Sequence, residues 1–394
     1  MMNVILFDEN HINYYPLSFT RPISYFRIGV FSIKEKWEKY YNSVSVKTEG
    51  YLTIKFPLKV SQDNLWINSE TIPSQELVRE LNSLRPGEAL AKDGKIFAFR
   101  NNVYNKERLN IIDSHSIFHS IKNLTDIFYL NSEEIKNDIK LLDVVKKQQN
   151  KVDLEQMEGC SGVVKIGDNP IYIEEGVKLQ HCILNTSDGP IYIGKNVEIM
   201  EGSMVRGPFA ILDNSVLKMG SRIYGGTTIG PYCKVGGEVN NTVFFGYSSK
   251  AHDGFLGNSV IGEWCNLGAD TNSSNLKNNY AEVRLWNYDM ETFKNTGLQF
   301  CGIIMGDHSK CGINTMFNTG TVIGVSANVF GSGFPRNFIP SFSWGGYSGF
   351  SVYRLSKVFD VVKKVFARRG CNFGQLDKDI LTQVYDMTKR YRKE

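Results

Sequence analysis

The chain of 394 residues lacks the features that mark several protein classes. Its 7 cysteines are an odd number and include no CxxC or zinc-type spacing, which argues against a disulfide framework and favours a reducing, cytoplasmic setting. The apolar stretch at residues 4–7 ends at Asp8 and is too short for a signal peptide or a membrane span. Low-complexity segments are absent as well. We therefore expect a compact protein with no membrane partner.

The chain also has little excess charge of either sign. The net charge is +4, from 45 lysines and arginines against 41 acidic residues. This is too mild to indicate a nucleic-acid partner, although it is compatible with a local anionic ligand. The length suggests two or three domains with ample chain for a buried core.

A six-residue repeat dominates the second half of the sequence. Apolar residues recur every sixth position at Ile193, Ile199, Val205, Ile211, Leu217, Ile223, Ile229 and Val235. The phase then slips, resumes at Phe255, Ile261 and Leu267, slips again, and runs through Met305, Cys311, Phe317, Ile323 and Val329. A helix requires apolar spacing near 3.6 and a strand near 2, so this period fits neither element alone. It predicts stacked coils of a parallel β-helix.

The repeat divides the chain. We expect an α/β domain at residues 1–150 that ends in a linker helix, a β-helix at residues 151–350, and a helical cap at residues 351–394. The asparagine-rich excursion at residues 272–301 interrupts the repeat, and an insertion of this length in a compact array is usually functional or disordered. The two phase slips are therefore the first places to search for chemistry.

The first slip contains the candidate catalytic residue, His252. The stretch Lys250-Ala-His-Asp-Gly-Phe-Leu-Gly257, followed by Asn266-Leu-Gly-Ala269, resembles the acetyltransferase domain of the bifunctional bacterial enzymes that acetylate and uridylylate glucosamine-1-phosphate. Those enzymes have a Lys-x-x-His-x-x-Tyr-(Ile/Leu)-Gly motif and a later asparagine loop. In this chain the lysine is one residue closer, and phenylalanine replaces the tyrosine. The resemblance covers about half of the chain.

The resemblance implies a left-handed β-helix, a homotrimer and an acetyl-CoA-dependent N-acetyltransferase. His252 would be the general base, because a neutral imidazole accepts a proton near neutral pH. The candidate acceptor-binding residues are Lys250, Phe255, Asn266, Asn275 and Arg206. Arg336 and Lys310 are candidates for the phosphates of coenzyme A. The alternative without function is that His252 is a solvated loop histidine and that Arg336 and Lys310 are ordinary surface charges.

The N-terminal domain resembles a shortened sugar nucleotidyltransferase. It retains Pro-Leu-Ser-x-Thr-Arg-Pro at residues 16–22 and the strand Leu65-Trp-Ile-Asn68, but it lacks the Gly-x-Gly-x-Arg loop that holds a triphosphate. Candidates for nucleotide phosphate are Arg21, Arg27 and Lys34, and Glu70 is a weak candidate for Mg²⁺. The resemblance implies UTP as a further substrate.

Three functions therefore remain open. The first is N-acetylation of an amino-sugar phosphate, with or without nucleotidyl transfer that gives UDP-N-acetylglucosamine. The second is a nucleotidyltransferase whose β-helix only assembles or regulates. The third is a non-catalytic scaffold or a protein that binds a sugar nucleotide.

Overall fold

The structure is a computed structural model that describes residues 2–146 and 157–392. Its chain forms two compact units. The first unit comprises Met1–Tyr14, Thr20–Phe26 and Phe31–Leu124, and the second comprises Tyr15–Phe19, Arg27–Val30 and Thr125–Glu394. Among the described residues, no helix combines the length and the apolar character needed to cross a bilayer.

The first unit is built on a six-stranded mixed sheet. Its strands are β1 (Asn3–Phe7), β2 (Val44–Lys47), β3 (Asn64–Asn68), β4 (Glu88–Lys92), β5 (Lys95–Asn101) and β6 (Asn110–Asp113), in the order β2-β1-β3-β5-β4-β6. Strand β1 is parallel to both neighbours, β2 and β3. Strands β4 and β5 form the hairpin that the sequence predicts. Because β1 and β3 are central, all five residues of each strand are buried.

Two short helices accompany this sheet, α1 (Ile33–Trp37) and α2 (Gln75–Ser83). Ser32 begins α1 with a capping box that it shares with Glu35, and the Ser74 side chain accepts a hydrogen bond from the Leu77 amide at the start of α2. These side chains satisfy amides that a helix start otherwise leaves unpaired. The α/β architecture expected for this part of the chain is confirmed.

The second unit begins with α3 (Asp126–Tyr129) and α4 (Asn131–Lys146). Asn131 Nδ2 donates to the Gly226 carbonyl at 2.7 Å and to Thr228 Oγ1 at 3.0 Å. The helix expected as a linker is therefore fastened to the solenoid at its start. The last residues expected in that helix, 147–149, lie outside the described part of the chain.

The solenoid is a parallel β-helix with three faces, as the six-residue period predicts. The first face consists of Cys160–Ser161, Lys178–Gln180, Glu198–Ile199, Val216–Leu217, Lys234–Val235, Ser249–Lys250, Asn266–Leu267, Lys310–Cys311, Asn328–Val329, Ser343–Gly346 and Gly349–Val352. The second consists of Val164–Ile166, Ile183–Asn185, Met204–Arg206, Arg222–Ile223, Glu238–Asn240 and Phe255–Gly257, and the separate pair Asn272–Ser273 and Met316–Phe317 lies beyond them. The third consists of Ile171–Ile173, Ile191–Ile193, Phe209–Ile211, Thr227–Ile229, Val243–Gly246, Val260–Glu263, Ile304–Met305, Val322–Ile323 and Phe338–Ile339.

Inward residues of successive coils stack in register and form one apolar core. The expected register is wrong at Phe255, because Leu256 takes the inward position opposite Val239 and is fully buried. Six residues earlier, the inward position opposite Val235 is held by Lys250. A search for apolar residues loses the phase at this lysine, which explains the error.

Two helices, α5 (Leu355–Ala367) and α6 (Gln375–Met387), follow the last coil and confirm the expected C-terminal helices. Helix α5 begins at Leu355 rather than near Val352, because the strand Gly349–Val352 precedes it. Its Phe366 stacks on Trp264 with ring centroids 4.1 Å apart. Helix α5 therefore packs on the flank of the solenoid.

Candidate functional site

His252 lies at the corner that joins the first and second faces of the solenoid. It is exposed, in the loop between the strands Ser249–Lys250 and Phe255–Gly257. Among the described residues, no side chain forms a hydrogen bond with its imidazole. The ring is therefore open to a ligand that approaches this corner.

The loop of His252 rests against a pair of glycines in the preceding coil. A Cβ atom at Gly237 would lie 2.9 Å from each of three atoms: the His252 carbonyl oxygen, Asp253 Cα and the Gly254 carbonyl oxygen. Gly237 also has φ of +73°, a conformation that side chains disfavour. Only glycine therefore permits this close approach of the two backbones.

We expect Gly237→Ala to destabilise the protein by about 1–3 kcal/mol more than Gly220→Ala. Gly220 occupies the corresponding corner of the previous coil with φ of +68°, but nothing lies within 4 Å of a Cβ built there. Both alanine variants therefore pay the same cost for a positive φ. The difference between their free energies of unfolding measures the crowding of the new Cβ against the His252 loop. Urea denaturation of both variants measures it. Equal losses of stability would mean that the loop does not rest on Gly237.

Lys250 fastens the same loop from inside the solenoid. It is only 1% exposed, and its Nζ donates to the His252 carbonyl at 2.7 Å and to the Gly236 carbonyl at 2.9 Å. Burial lowers the pKa of Lys250 to about 8, against a smaller opposing effect of the Asp253 carboxylate. The prediction that Lys250 contacts a substrate is therefore corrected. Its ammonium is directed into the solenoid, where it holds the His252 loop in position.

The structure brings Phe255 and Asn275 together on the second face. A Cβ at Gly257 would lie 2.7 Å from both Asn275 Nδ2 and Phe255 Cζ. The Asn275 amide nitrogen donates to Asn258 Oδ1 at 2.8 Å, and the backbone amide of Phe255 donates to Asn272 Oδ1 at 2.9 Å. The asparagine-rich segment thus lies beside the strand that follows His252.

Asn266 and Arg206 lie apart from this pair. Asn266 is exposed on the first face, on the strand next to Ser249. Arg206 is on the second face, but three strand steps separate its strand from that of Phe255, or roughly 14 Å along the axis. It is paired with Asp188 at 3.3 Å. Within a single chain, Arg206 therefore does not lie at the His252 corner, which corrects the prediction that it binds the acceptor there together with Phe255.

Arg222 was not expected at this site. Its guanidinium lies 3.7 Å from the Glu238 carboxylate and 4.0 Å from the Asp253 carboxylate, next to His252 in sequence. Arg222 and Glu238 are half-exposed and Asp253 is largely exposed, so both ion pairs are weak. Arg222, Glu238 and Asp253 come together because three successive coils stack, so no local sequence motif predicts these ion pairs.

The two residues expected to bind coenzyme A differ in their surroundings. Lys310 Nζ donates to the carbonyls of Trp264 and His308, each at 3.3 Å, and burial lowers its pKa. The expected phosphate contact of Lys310 is therefore corrected, because its ammonium is committed to backbone. Arg336 is exposed and lines a cavity of about 560 Å³ together with Lys277 and Arg284.

In the first unit, acidic residues follow the carboxyl ends of β1 and β3. Asp8 Oδ2 accepts hydrogen bonds from His11 Nδ1 at 3.1 Å and Thr48 Oγ1 at 2.6 Å, and Glu9 pairs with Lys106. Burial raises the pKa of Glu70 to about 7. Ligands of open α/β sheets often bind at such strand ends. Within the described ranges, however, no group of three histidine, cysteine or acidic residues is arranged to hold a metal, so Glu70 does not belong to a Mg²⁺ site of that kind.

The three basic residues expected at nucleotide phosphate differ in their surroundings. Arg21 is buried in the first unit, and Lys34 pairs with Glu38 along α1. Arg27 groups with the second unit, where its Nη1 donates to the Val30 carbonyl at 2.6 Å and its Nε to the Phe245 carbonyl at 3.4 Å. The guanidinium of Arg27 is thus bonded to backbone carbonyls, which does not favour its expected phosphate role, whereas the phosphate role of Lys34 stays a prediction.

Comparison with known proteins relates parts of the chain to two classes. Three solved structures are similar to about half of the chain. The polysialic-acid-specific acetyltransferase NeuO is 13% identical with a TM-score of 0.30, over 54% of this chain and 99% of that one. The polysialic acid O-acetyltransferase OatWY is 13% identical with a TM-score of 0.25, over 48% and 87%. A hexapeptide transferase family protein from Anaplasma phagocytophilum is 15% identical with a TM-score of 0.12, over 58% and 93%.

A search of curated proteins finds no match to the chain. A family model described as sugar nucleotidyl transferase matches residues 4–147. This stretch spans the sheet of the first unit and continues through α4. The N-terminal part of the chain is thus similar to sugar nucleotidyl transferases.

Proposed function

We propose that the solenoid carries an acyltransferase that moves an acetyl group from acetyl-CoA to the amine of an amino-sugar phosphate. The observation that supports it most is the placement of His252. This residue is exposed at a solenoid corner, its loop is fastened from within by Lys250, and its imidazole is free of hydrogen-bond partners among the described residues. The sequence resemblance to sugar-amine acetyltransferases supports the same assignment.

The proposed reaction assigns one proton transfer to His252. The amine nitrogen of the acceptor attacks the thioester carbonyl, which forms a C–N bond. Collapse of the tetrahedral intermediate breaks the C–S bond and releases coenzyme A as a thiolate, which then takes up a proton. A neutral imidazole accepts the proton that the attacking nitrogen loses.

Phe255 and Asn275 are the proposed acceptor contacts beside this base. Phe255 is half-buried on the second face, where it offers a flat apolar surface and no hydroxyl. The nitrogen of the Asn275 amide donates to Asn258, and among the described residues no group donates to its side-chain oxygen. The acceptor is thus held by one apolar contact and one amide.

We also propose that the second face is the contact between copies in a homotrimer. Three apolar side chains on its strands, Val164, Ile166 and Met204, are between 43% and 51% exposed, and Tyr224, which directly follows the strand Arg222–Ile223, is 45% exposed. Apolar residues grouped on one face favour burial against a partner. Sedimentation of the full chain as a monomer at micromolar concentration would contradict this assembly.

Acyl transfer is tested by release of coenzyme A from acetyl-CoA in the presence of glucosamine-1-phosphate. We expect turnover that depends on the amine, with N-acetylglucosamine-1-phosphate inactive as acceptor because its nitrogen is already acylated. Release at the same rate without acceptor would indicate only thioester hydrolysis. A panel of other amino-sugar phosphates that all fail would contradict the proposed acceptor class.

The second candidate function is nucleotidyl transfer by the N-terminal unit. It is favoured by the family model that matches residues 4–147 and by the carboxylates at the ends of β1 and β3. Within residues 2–146 no group of three histidine, cysteine or acidic residues is arranged to hold a metal, so we derive no step through Mg²⁺. Pyrophosphate release from UTP and N-acetylglucosamine-1-phosphate, with Mg²⁺ supplied, tests this function. The absence of both activities would favour a scaffold.

A further inference from the structure

A second candidate site lies between the asparagine-rich excursion and the last coils of the solenoid. The excursion contains an antiparallel hairpin formed by Arg284–Asn287 and Thr292–Asn295. One side of this hairpin lines a cavity of about 560 Å³, which we call the hairpin cavity. Its walls are formed by Lys277, Arg284, Trp286, Phe293, Thr319, Arg336, Asn337 and Phe338. This volume is within the range of sites for small organic ligands.

The charge of the hairpin cavity is entirely positive. Three of its lining residues are cations and none is acidic. Lys277 Nζ donates to the Glu282 carbonyl at 2.6 Å. Among the described residues, the guanidinium groups of Arg284 and Arg336 have no hydrogen-bond or ion-pair partner. Two unpaired guanidinium groups at one cavity favour an anion with several oxygen acceptors, such as a phosphate.

Three of the other five lining residues are aromatic: Trp286, Phe293 and Phe338. Trp286 stacks on Phe338 with ring centroids 4.3 Å apart and planes at 11°, and Phe293 meets Trp286 edge-on at 5.4 Å. The indole Nε1 of Trp286 is buried and has no acceptor among the described residues. A buried donor without a partner is uncommon in a folded protein. The stacked rings of Trp286 and Phe338, with Phe293 beside them, favour a ligand that carries a flat ring.

The hairpin is held in place by aromatic contacts at its turn. Tyr288 is 1% exposed and packs edge-on against Phe338 at 5.5 Å and Tyr391 at 5.3 Å. The start of the hairpin is equally close to the solenoid, because a Cβ at Gly320 would lie 2.5 Å from the Arg284 carbonyl oxygen. The cavity walls are therefore fastened before any ligand binds, which reduces the entropic cost of binding.

We propose that the hairpin cavity binds a nucleoside phosphate, with the phosphate between Arg284 and Arg336 and the base against Phe293 and Trp286. Cations alone would accept any anion, whereas the aromatic wall selects for a ring. Thr319 and Asn337 lie at the corner between the second and third faces, and His252 lies at the corner between the first and second. Binding in this cavity is therefore separable from the proposed base.

Two ligands share the required chemistry. One is the 3′-phosphorylated adenosine end of coenzyme A, and the other is a uridine nucleotide. The first would place the donor of the proposed acyl transfer, and the second would place a substrate or product of nucleotidyl transfer. The proposal concerns the nucleoside phosphate itself and holds for either source.

Calorimetric titration of the full-length protein tests the proposal. The probes are adenosine 3′,5′-bisphosphate, UDP, adenosine and inorganic phosphate. We expect at least one of the two nucleotides to bind at least about 10-fold more tightly than both adenosine and phosphate, because the site requires ring and anion together. The identity of the tighter nucleotide distinguishes the two sources.

Variants locate the binding. Arg284→Gln and Arg336→Gln are each expected to weaken the preferred nucleotide by about 10-fold or more, since each removes a charge-assisted contact. Arg368→Gln is the matched control, because Arg368 is an exposed arginine that directly follows α5, and this variant is expected to leave Kd unchanged. Phe293→Ala is expected to weaken the nucleotide but not inorganic phosphate, and thermal melting checks that each variant is folded.

His252→Ala separates this proposal from the proposed function. The variant is expected to bind the nucleotide as the wild type does, whether or not acyl transfer is observed. The proposal is overturned if neither nucleotide binds, if inorganic phosphate binds as tightly as the nucleotides, or if both arginine variants retain the wild-type Kd.

Discussion

Replacement of His252 by asparagine is expected to lower kcat for acetyl transfer by about 10²- to 10⁴-fold, the usual contribution of a positioned general base. Asparagine retains a polar side chain of similar reach but cannot accept a proton near neutral pH. The imidazole is exposed and its loop is held by the backbone contacts to Gly237 and by Lys250, so the substitution leaves those contacts in place. The measurement is steady-state release of coenzyme A with saturating acceptor.

His181→Asn is the matched control for this variant. His181 is also an exposed histidine at a corner between the first and second faces, in an earlier coil. It should retain wild-type kcat. Because the His252 corner is open to solvent, added imidazole should restore part of the activity of His252→Asn. If His252→Asn and His181→Asn turn over equally, His252 is not the base.

The architecture of the solenoid was predictable because its period is long and nearly uninterrupted. Inward residues such as Ile193, Ile211 and Ile229 are eighteen residues apart and stack directly on one another. The prediction failed at Phe255, where an inward lysine and a shortened corner at Gly236–Gly237 displaced the phase. A period defined by apolar residues cannot follow a coil whose inward position is charged.

The residues around the candidate base were predictable only in part. Phe255 and Asn275 meet, because the excursion begins one coil above the strand of Phe255. The ion pairs of Arg222 with Glu238 and Asp253 depend on the register between coils, which a linear motif does not contain. A linear motif also does not show how one coil packs on another. In the fold, this packing directs the ammonium of Lys310 to the backbone carbonyls of Trp264 and His308.

The hairpin cavity was also not predictable from sequence motifs, because its residues are far apart in the sequence. Arg284 and Arg336 are separated by 52 positions in the numbering and share one cavity. The sequence indicated only that the asparagine-rich excursion at residues 272–301 interrupts the repeat. The charge of Arg336 was recognised, but its partner Arg284 and the aromatic wall became apparent only from the fold.

Removal of the buried charge at Lys250 should change how stability depends on pH. Burial lowers the pKa of Lys250 to about 8 in the folded chain, whereas the ordinary lysine value of 10.5 applies to the unfolded chain. Below about pH 8 both states hold the proton, so the full cost of the buried ammonium is present. Between about pH 8 and 10.5 the unfolded chain holds more protons than the folded chain, and this group therefore makes the folded state more stable as pH rises.

Lys250→Met isolates this effect, because methionine fills similar space without a charge. The wild-type free energy of unfolding, minus that of the variant, should rise by about 2 kcal/mol from about pH 7 to about pH 9.5, which denaturant titration at each pH measures. Burial raises the pKa of the Cys233 and Cys265 thiols, and this opposes stability at alkaline pH, but it occurs in both proteins and cancels in the difference.

The Lys250→Met variant also loses the hydrogen bonds to the Gly236 and His252 carbonyls. This loss adds an offset to the difference in unfolding free energy at every pH at which the lysine is charged, but it does not create the rise at alkaline pH. A difference that stays constant from about pH 7 to about pH 9.5 would mean that the ammonium is solvated in the folded chain. The inward placement of Lys250 would then be wrong, and with it the reason for which the His252 loop is held in its position.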